Sequence, residues 1–118
     1  SGTLMGVSRR LKEYNQNIKI LGVEPQFGHK IAGLKNMQEA IVPEIYNETN
    51  LDKKVVVYNE QAYETARQMA LQEGIFVGMS SGAAMFAAIE EAKLMTDGKM
   101  VILLPDRGEK YLSTALFS

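Results

Sequence analysis

Val55-Val56-Val57-Tyr58-Asn59-Glu60-Gln61-Ala62-Tyr63-Glu64-Thr65-Ala66-Arg67-Gln68-Met69-Ala70 and, directly beyond, Leu71-Gln72-Glu73-Gly74-Ile75-Phe76-Val77-Gly78-Met79-Ser80-Ser81-Gly82 decide the fold class. The β-branched run at 55–58 predicts a buried strand. Asn59 is a good helix cap, and Ala62, Ala66, Met69 and Ala70 then fall on one helical face. Gly74 suits the left-handed position that ends such a helix. A short extended run, Ile75-Phe76-Val77, leads into Gly78-Met79-Ser80-Ser81-Gly82. Residues 83–95 predict a second helix, rich in alanine and apolar on most sides, so it is expected between neighbours.

The same alternation continues outward. Thr96-Asp97-Gly98 turns the chain, and Met100-Val101-Ile102-Leu103-Leu104 predicts another strong strand, closed by Pro105. Upstream, Ile18-Lys19-Ile20-Leu21-Gly22-Val23 predicts a buried strand closed by Glu24-Pro25. Before it, Leu4, Val7, Leu11 and Tyr14 recur at helical steps, with Thr3 as the expected cap and 15–17 as the end. Residues 26–54 show no sustained period, apart from a short helix expected at 37–40. A loop-rich stretch of that length is usually functional or mobile. Strands alternating with helices predict an α/β fold of three layers, a mostly parallel sheet with flanking helices. The first helix opens on a glycine turn with no strand before it. The chain is therefore expected to start inside a βαβ unit and to form a single α/β unit, residues 1–118, within a larger domain.

Composition removes several function classes. Thirteen Lys and Arg against 14 Asp and Glu leave a net charge of -1, without the basic excess of a nucleic-acid binder. The absence of cysteine excludes disulfides and Cys-ligated metal, and the single histidine, His29, argues against a His-rich metal site. No apolar run reaches the length of a membrane span. The first ten residues end in Arg9-Arg10 with no apolar stretch after them, so no signal peptide is read and a cytoplasmic location is expected. The seven methionines are read as core fillers.

Four places can carry chemistry. Ser1-Gly2-Thr3 stands at a helix start, where free N–H groups attract anions and glycine permits close approach; the plain alternative is an ordinary cap. Gly78-Met79-Ser80-Ser81-Gly82 reads either as a ligand-binding turn or as N-capping by Ser80 or Ser81 with tight packing. Pro105-Asp106-Arg107-Gly108 follows a predicted strand, where open α/β sheets bind ligands, and Asp106 is placed for that role or for a solvated turn. His29, Lys30 and Gly33 lie in the irregular segment, where polar residues are mostly solvated.

Together these pieces resemble one family. Ser1-Gly2-Thr3-Leu4-Met5-Gly6-Val7, Gly22-Val23-Glu24-Pro25, His29-Lys30-Ile31 with Gly33, Gly78-Met79-Ser80-Ser81-Gly82-Ala83-Ala84 and Leu104-Pro105-Asp106-Arg107-Gly108-Glu109-Lys110-Tyr111-Leu112-Ser113-Thr114 occur in the order found in cysteine synthase, or O-acetylserine sulfhydrylase. That family sits with cystathionine β-synthase among the fold-type II pyridoxal phosphate enzymes, and the resemblance covers essentially the whole chain. It implies that Ser1, Gly2 and Thr3 are the last positions of the loop that binds the cofactor phosphate. It implies that Ser80 hydrogen-bonds the pyridine nitrogen, that Gly33 lies near the substrate, and that Pro105 and Asp106 pass the cofactor ring.

The resemblance also marks what is missing. The family's Schiff-base lysine and its substrate-carboxylate loop belong to N-terminal motifs that this sequence does not contain. No lysine here matches, so no catalytic residue and no metal ligand is assigned. The chain is expected to be the C-terminal part of the enzyme's large domain, inactive alone and without pyridoxal 5'-phosphate until joined by the N-terminal part. A small-molecule substrate is implied. Homodimerisation or self-association is expected, because apolar elements normally covered on both sides would be left open. Two alternatives stay open: a related pyridoxal phosphate enzyme of the cystathionine β-synthase or dehydratase type, and a non-catalytic α/β binding module.

Overall fold

A computed structural model describes all of residues 1–118. Five regular elements follow in order: α1 (Gly2–Tyr14), β1 (Leu21–Pro25), β2 (Lys53–Val57), α2 (Asn59–Gln68) and α3 (Met79–Ala92). β1 and β2 pair in parallel, with Val23 opposite Val55 and Pro25 opposite Val57. Successive strand residues face opposite sides. Val23, Val55 and Val57 pack into one cluster with Ala62 and Ala66 of α2 and Ala83 and Ala87 of α3. On the other face, Leu4 of α1 and Leu51 close over Gly22. Helices therefore cover both sides of a parallel ribbon, which is the expected three-layer α/β arrangement.

The α2–α3 pair is the densest part of the molecule. Ala62, Ala66, Ala83 and Ala87 are all fully buried. Small residues let the helix axes approach, and Gly82 sets the limit. A Cβ there would stand 2.1 Å from the Ala62 carbonyl oxygen, a contact no side chain tolerates. α2 runs on through one wider turn, Met69–Glu73, and ends at Gly74 with φ of 68°, as the sequence requires. Arg67 of α2 then reaches the C-terminal segment, donating from Nε to the Leu116 carbonyl at 2.7 Å and from Nη2 to that of Ala115 at 2.9 Å. Leu116 is completely buried beneath this clamp.

Several boundaries and one strand differ from expectation. Residues 100–104 are not a strand. Exposure alternates along them, but no neighbouring chain segment takes up their backbone groups, and a strand exists only through such pairing. Val101 is 96% exposed in consequence, while Leu104 still packs on the core. The first strand starts at Leu21 and includes Glu24 and Pro25, because pairing with β2 begins there. α1 buries Met5 and Ser8, whereas Val7 and Tyr14 of the expected inner face are exposed. Its cap position is Ser1, so Thr3 lies inside the helix. Residues 37–40 form a turn held by the Asn36 carbonyl rather than a helix.

Asn59 does not cap α2. Gln61 does so by accepting from the Tyr58 amide at 2.9 Å, while the Asn59 side chain accepts from Lys30 N at 2.9 Å and pins the long loop. α3 begins at Met79 and ends at Ala92, not at 83 and 95. The long loop is also held at Glu24, which accepts from the Met37 amide and pairs with Lys54 at 3.1 Å. Glu48 lies 2.8 Å from the same lysine, and these two carboxylates drive the Lys54 pKa well above its usual range despite some burial.

Solvent reaches 7963 Å² of the chain, against about 6,400 Å² for a self-standing protein of this mass. The surplus includes large apolar side chains, among them Ile41, Leu103 and Leu112. No helix is long and apolar enough to cross a membrane.

Candidate functional site

Four of the residues singled out from sequence, Gly78, Ser80, Ser81 and Asp106, meet at the head of α3. Gly78 is the helix cap position, so Ser80 and Ser81 lie in the first turn rather than before it. Their hydroxyls therefore cannot cap the helix in the ordinary way, and the cap comes from a distant residue. Asp106 accepts from the Ser81 amide at 3.0 Å and from the Ser80 amide at 3.2 Å. Ser81 Oγ donates to the same carboxylate and accepts from Asp106 N at 3.2 Å. An anionic oxygen at a helix N-terminus satisfies free N–H groups and faces the positive end of the dipole.

The approach depends on Gly78. A Cβ there would stand 2.3 Å from Asp106 Oδ2 and equally close to the Tyr111 ring. Next to this point the chain is stitched by Gly78 N donating to the Asp106 carbonyl at 3.4 Å and Gly108 N to that of Phe76 at 3.3 Å. Phe76 and Phe117 pack beside it with ring centres 5.0 Å apart and planes tilted by 41°.

Burial alone would raise the Asp106 pKa, but the hydrogen bonds from Ser81 and Ser80 outweigh it and hold the carboxyl below its ordinary value. The carboxylate in turn acts on Tyr111, whose phenol is pushed up first by burial and then by the Asp106 charge.

Ser80 differs from its neighbour. It is 3% exposed; its amide donates to Asp106 at 3.2 Å, and its hydroxyl stands beside the same carboxylate in a looser contact that helps lower the Asp106 pKa. Opposite it lies Gly33, with φ of 88°. A Cβ at Gly33 would come within 3.4 Å of Ser80 Oγ, so glycine at this left-handed position leaves the hydroxyl uncrowded.

Ser1, Gly2 and Thr3 are at a different helix end. All three are exposed at the start of α1, no side chain caps that helix, and a Cβ on Gly2 would meet nothing. No hydrogen bond joins them to Ser80 or Asp106. Pro105 is exposed immediately before Asp106. His29 turns inward to its own loop, its Nδ1 accepting from Ile31 N at 3.2 Å.

Sequence reasoning missed the pairing of Ser81 with Asp106 and the part played by Tyr111. No period links positions 25 residues apart. The only available signal was a carboxylate directly after a predicted strand end, in a chain whose other helix head was rich in hydroxyls.

Residues 1–106 match the profile of the family described as pyridoxal-phosphate dependent enzymes. A cysteine synthase of Aquifex aeolicus is 51% identical over 99% of this chain, which corresponds to 37% of that protein. The crystal structure of a cysteine synthase (OASS) from Entamoeba histolytica superposes with a TM-score of 0.90 at 37% identity, covering 99% of this chain and 37% of that one. O-ureido-L-serine synthase superposes with a TM-score of 0.88 at 33% identity, covering 98% and 39% respectively. The chain thus spans well under half the length of the relatives it matches. A family profile over nearly all its residues, with close agreement in both sequence and backbone, shows that this chain belongs to the pyridoxal-phosphate dependent enzymes.

Proposed function

We propose that the chain is the C-terminal part of a cysteine synthase, which makes cysteine from O-acetylserine and sulfide by β-replacement. The observation that carries this reading is Ser80, a buried serine at a helix head whose hydroxyl faces a glycine and, unlike that of Ser81, is not locked by close contacts to Asp106. A group with one hydrogen-bonding atom at its edge, such as a pyridine nitrogen, would complete it.

The residues present fit pyridoxal phosphate at both ends. The start of α1 offers uncapped N–H groups, no acidic residue in its first turn and open space at Gly2, which suits a phosphate. Ser1, Gly2 and Thr3 would hold that phosphate, and Ser80 would meet the ring nitrogen. A hydroxyl is a neutral partner, so it leaves the nitrogen largely unprotonated. When bound, the cofactor supplies an electron-withdrawing ring that eases loss of the substrate's α-proton and its acetate. Gly33, Pro105 and Asp106 line the approach for the substrate, and Gly33 keeps that side of Ser80 clear. No residue of this chain is assigned as catalytic or as a metal ligand. The lysine that bonds the cofactor and the substrate-carboxylate loop would come from the N-terminal part of the same enzyme.

That part is also the first partner. The surplus of exposed surface and the unpaired segment at 100–104 support docking of further chain on these faces, and homodimerisation or self-association of the isolated chain. A cytoplasmic location belongs to the same reading.

The second reading is a related pyridoxal phosphate enzyme with a different β-substituent. The similarity to O-ureido-L-serine synthase favours keeping it, since the residues that grip the substrate lie outside these motifs. One experiment separates the cases. The complete enzyme is supplied with O-acetylserine and sulfide, then with other activated serines, and product is followed by mass spectrometry. Cysteine as main product is expected. No cysteine, with another serine derivative turned over, moves the assignment to the second reading. The isolated 118-residue chain is expected to form none, and turnover by it alone would overturn this division of labour between the two parts of the enzyme.

A further inference from the structure

We propose that Asp106 is a positioning residue: by seating its own carboxylate on the head of α3, it fixes the first helical turn and with it the direction in which the Ser80 hydroxyl meets the cofactor ring. This rests on Ser80 being the partner of the ring nitrogen.

The division between two adjacent serines carries the argument. Ser81 is spent on Asp106 through its amide and through its hydroxyl, which both donates and accepts. Ser80 gives Asp106 its amide, while its hydroxyl touches that carboxylate only loosely and lies beside Gly33. Neighbouring side chains on a helix point about 100° apart. Locking Ser81 onto a fixed carboxylate therefore sets the direction of Ser80 as well.

The carboxylate itself cannot wander. Its backbone is tied to Gly78 on one side, and Val77 and Arg107 form an antiparallel bridge on the other. Gly78 leaves no Cβ in its way. The arrangement also sorts the two helix heads by charge. The head of α3 already holds an anion, so a phosphate gains nothing there, whereas the head of α1 holds none.

The test is a double-mutant cycle in the complete enzyme with Asp106→Ala, Ser80→Ala and the pair. Pyridoxal phosphate affinity is read from cofactor fluorescence. Amide exchange at Ser80 and Ser81 is measured without cofactor. Loss of the cap is expected to speed exchange at both amides about tenfold and to weaken cofactor binding about tenfold, the scale of one helix cap. In the Ser80→Ala background, Asp106→Ala should add less than about a twofold further loss. Asp106→Asn keeps an acceptor oxygen, so it should restore most of both signals, and it carries the cycle if Asp106→Ala does not fold.

Losses that multiply, or exchange unchanged by Asp106→Ala, would overturn the proposal while the cofactor reading stands. A wild-type enzyme that binds no pyridoxal phosphate would overturn the reading of Ser80, and the proposal with it.

Discussion

α1 and α3 begin alike in sequence and end up unlike in structure. Each opens with glycine beside hydroxyl residues, Ser1-Gly2-Thr3 in one and Gly78-Met79-Ser80-Ser81 in the other. The head of α1 is exposed and uncapped, with room around Gly2. The head of α3 is buried, and Asp106 fills it. The same local chemistry thus gives an open anion site in one place and a closed, internally neutralised one in the other. What separates them is a single carboxylate delivered from 25 residues away. A helix N-terminus binds whatever acceptor reaches it first, and in α3 that acceptor belongs to the protein.

The harshest way to break this contrast is to crowd the closed head. Gly78→Val would drive its Cβ into Asp106 and Tyr111. It is expected to cost about 3 kcal/mol, the upper range of overpacking, seen as a lower urea midpoint. A loss within experimental scatter would show that Asp106 can retreat without consequence.

Removing the carboxylate should come next. Asp106→Ala is expected to destabilise the fold by about 1–2 kcal/mol in chemical unfolding, as loss of a helix cap does. Ser80→Ala should change unfolding less than Asp106→Ala does in the absence of cofactor, because its hydroxyl makes only a loose contact with that carboxylate and the amide bond is kept. Its effect belongs instead to cofactor binding, about 1–3 kcal/mol for an interaction lost at a buried site. Equal cofactor affinity in Ser80→Ala and wild type would remove Ser80 from the ring nitrogen.

Acid titration sharpens the comparison further. The Asp106 pKa is lowered in the fold from 3.8: burial opposes the charge, but the bonds from Ser81 and Ser80 prevail. A lowered carboxylate contributes stability above its unfolded pKa and loses it as the pH falls through the folded value. The stability gap between wild type and Asp106→Asn should therefore be full at neutral pH and close below about pH 4. A gap that widened in acid would contradict the sign of the shift.

The smallest effect is expected at the open head. Gly2→Ala meets no neighbour and should shift unfolding by less than about 0.5 kcal/mol. If it destabilised as much as Gly78→Val, the two helix heads would not differ as described.

The remaining exposed apolar surface points the same way as the contrast between helix heads. Segment 100–104 has the alternation and side chains of a strand, yet it stays unpaired with Val101 in solvent. β2 carries a shorter apolar run, Val55–Val57 after two lysines, and is a strand because β1 lies beside it. Apolar, β-prone residues made both segments ready to pair, and only one found a neighbour within these residues.

The sequence by itself determined the α/β class, the parallel pair of strands, the alanine seam of α2 and the left-handed stop at Gly74. Each follows from a local period or a single residue's dihedral freedom, which are visible along the chain. It also marked Gly33, Ser80 and Asp106 one at a time. Tertiary structure alone decided that these three meet, that the Ser81 hydroxyl rather than that of Ser80 is locked by Asp106, that Asn59 holds a loop rather than a helix, and that residues 100–104 remain unpaired. Those outcomes depend on contacts between positions far apart in the chain, and on which of several chemically equal hydrogen-bond partners arrives. No local pattern encodes that choice.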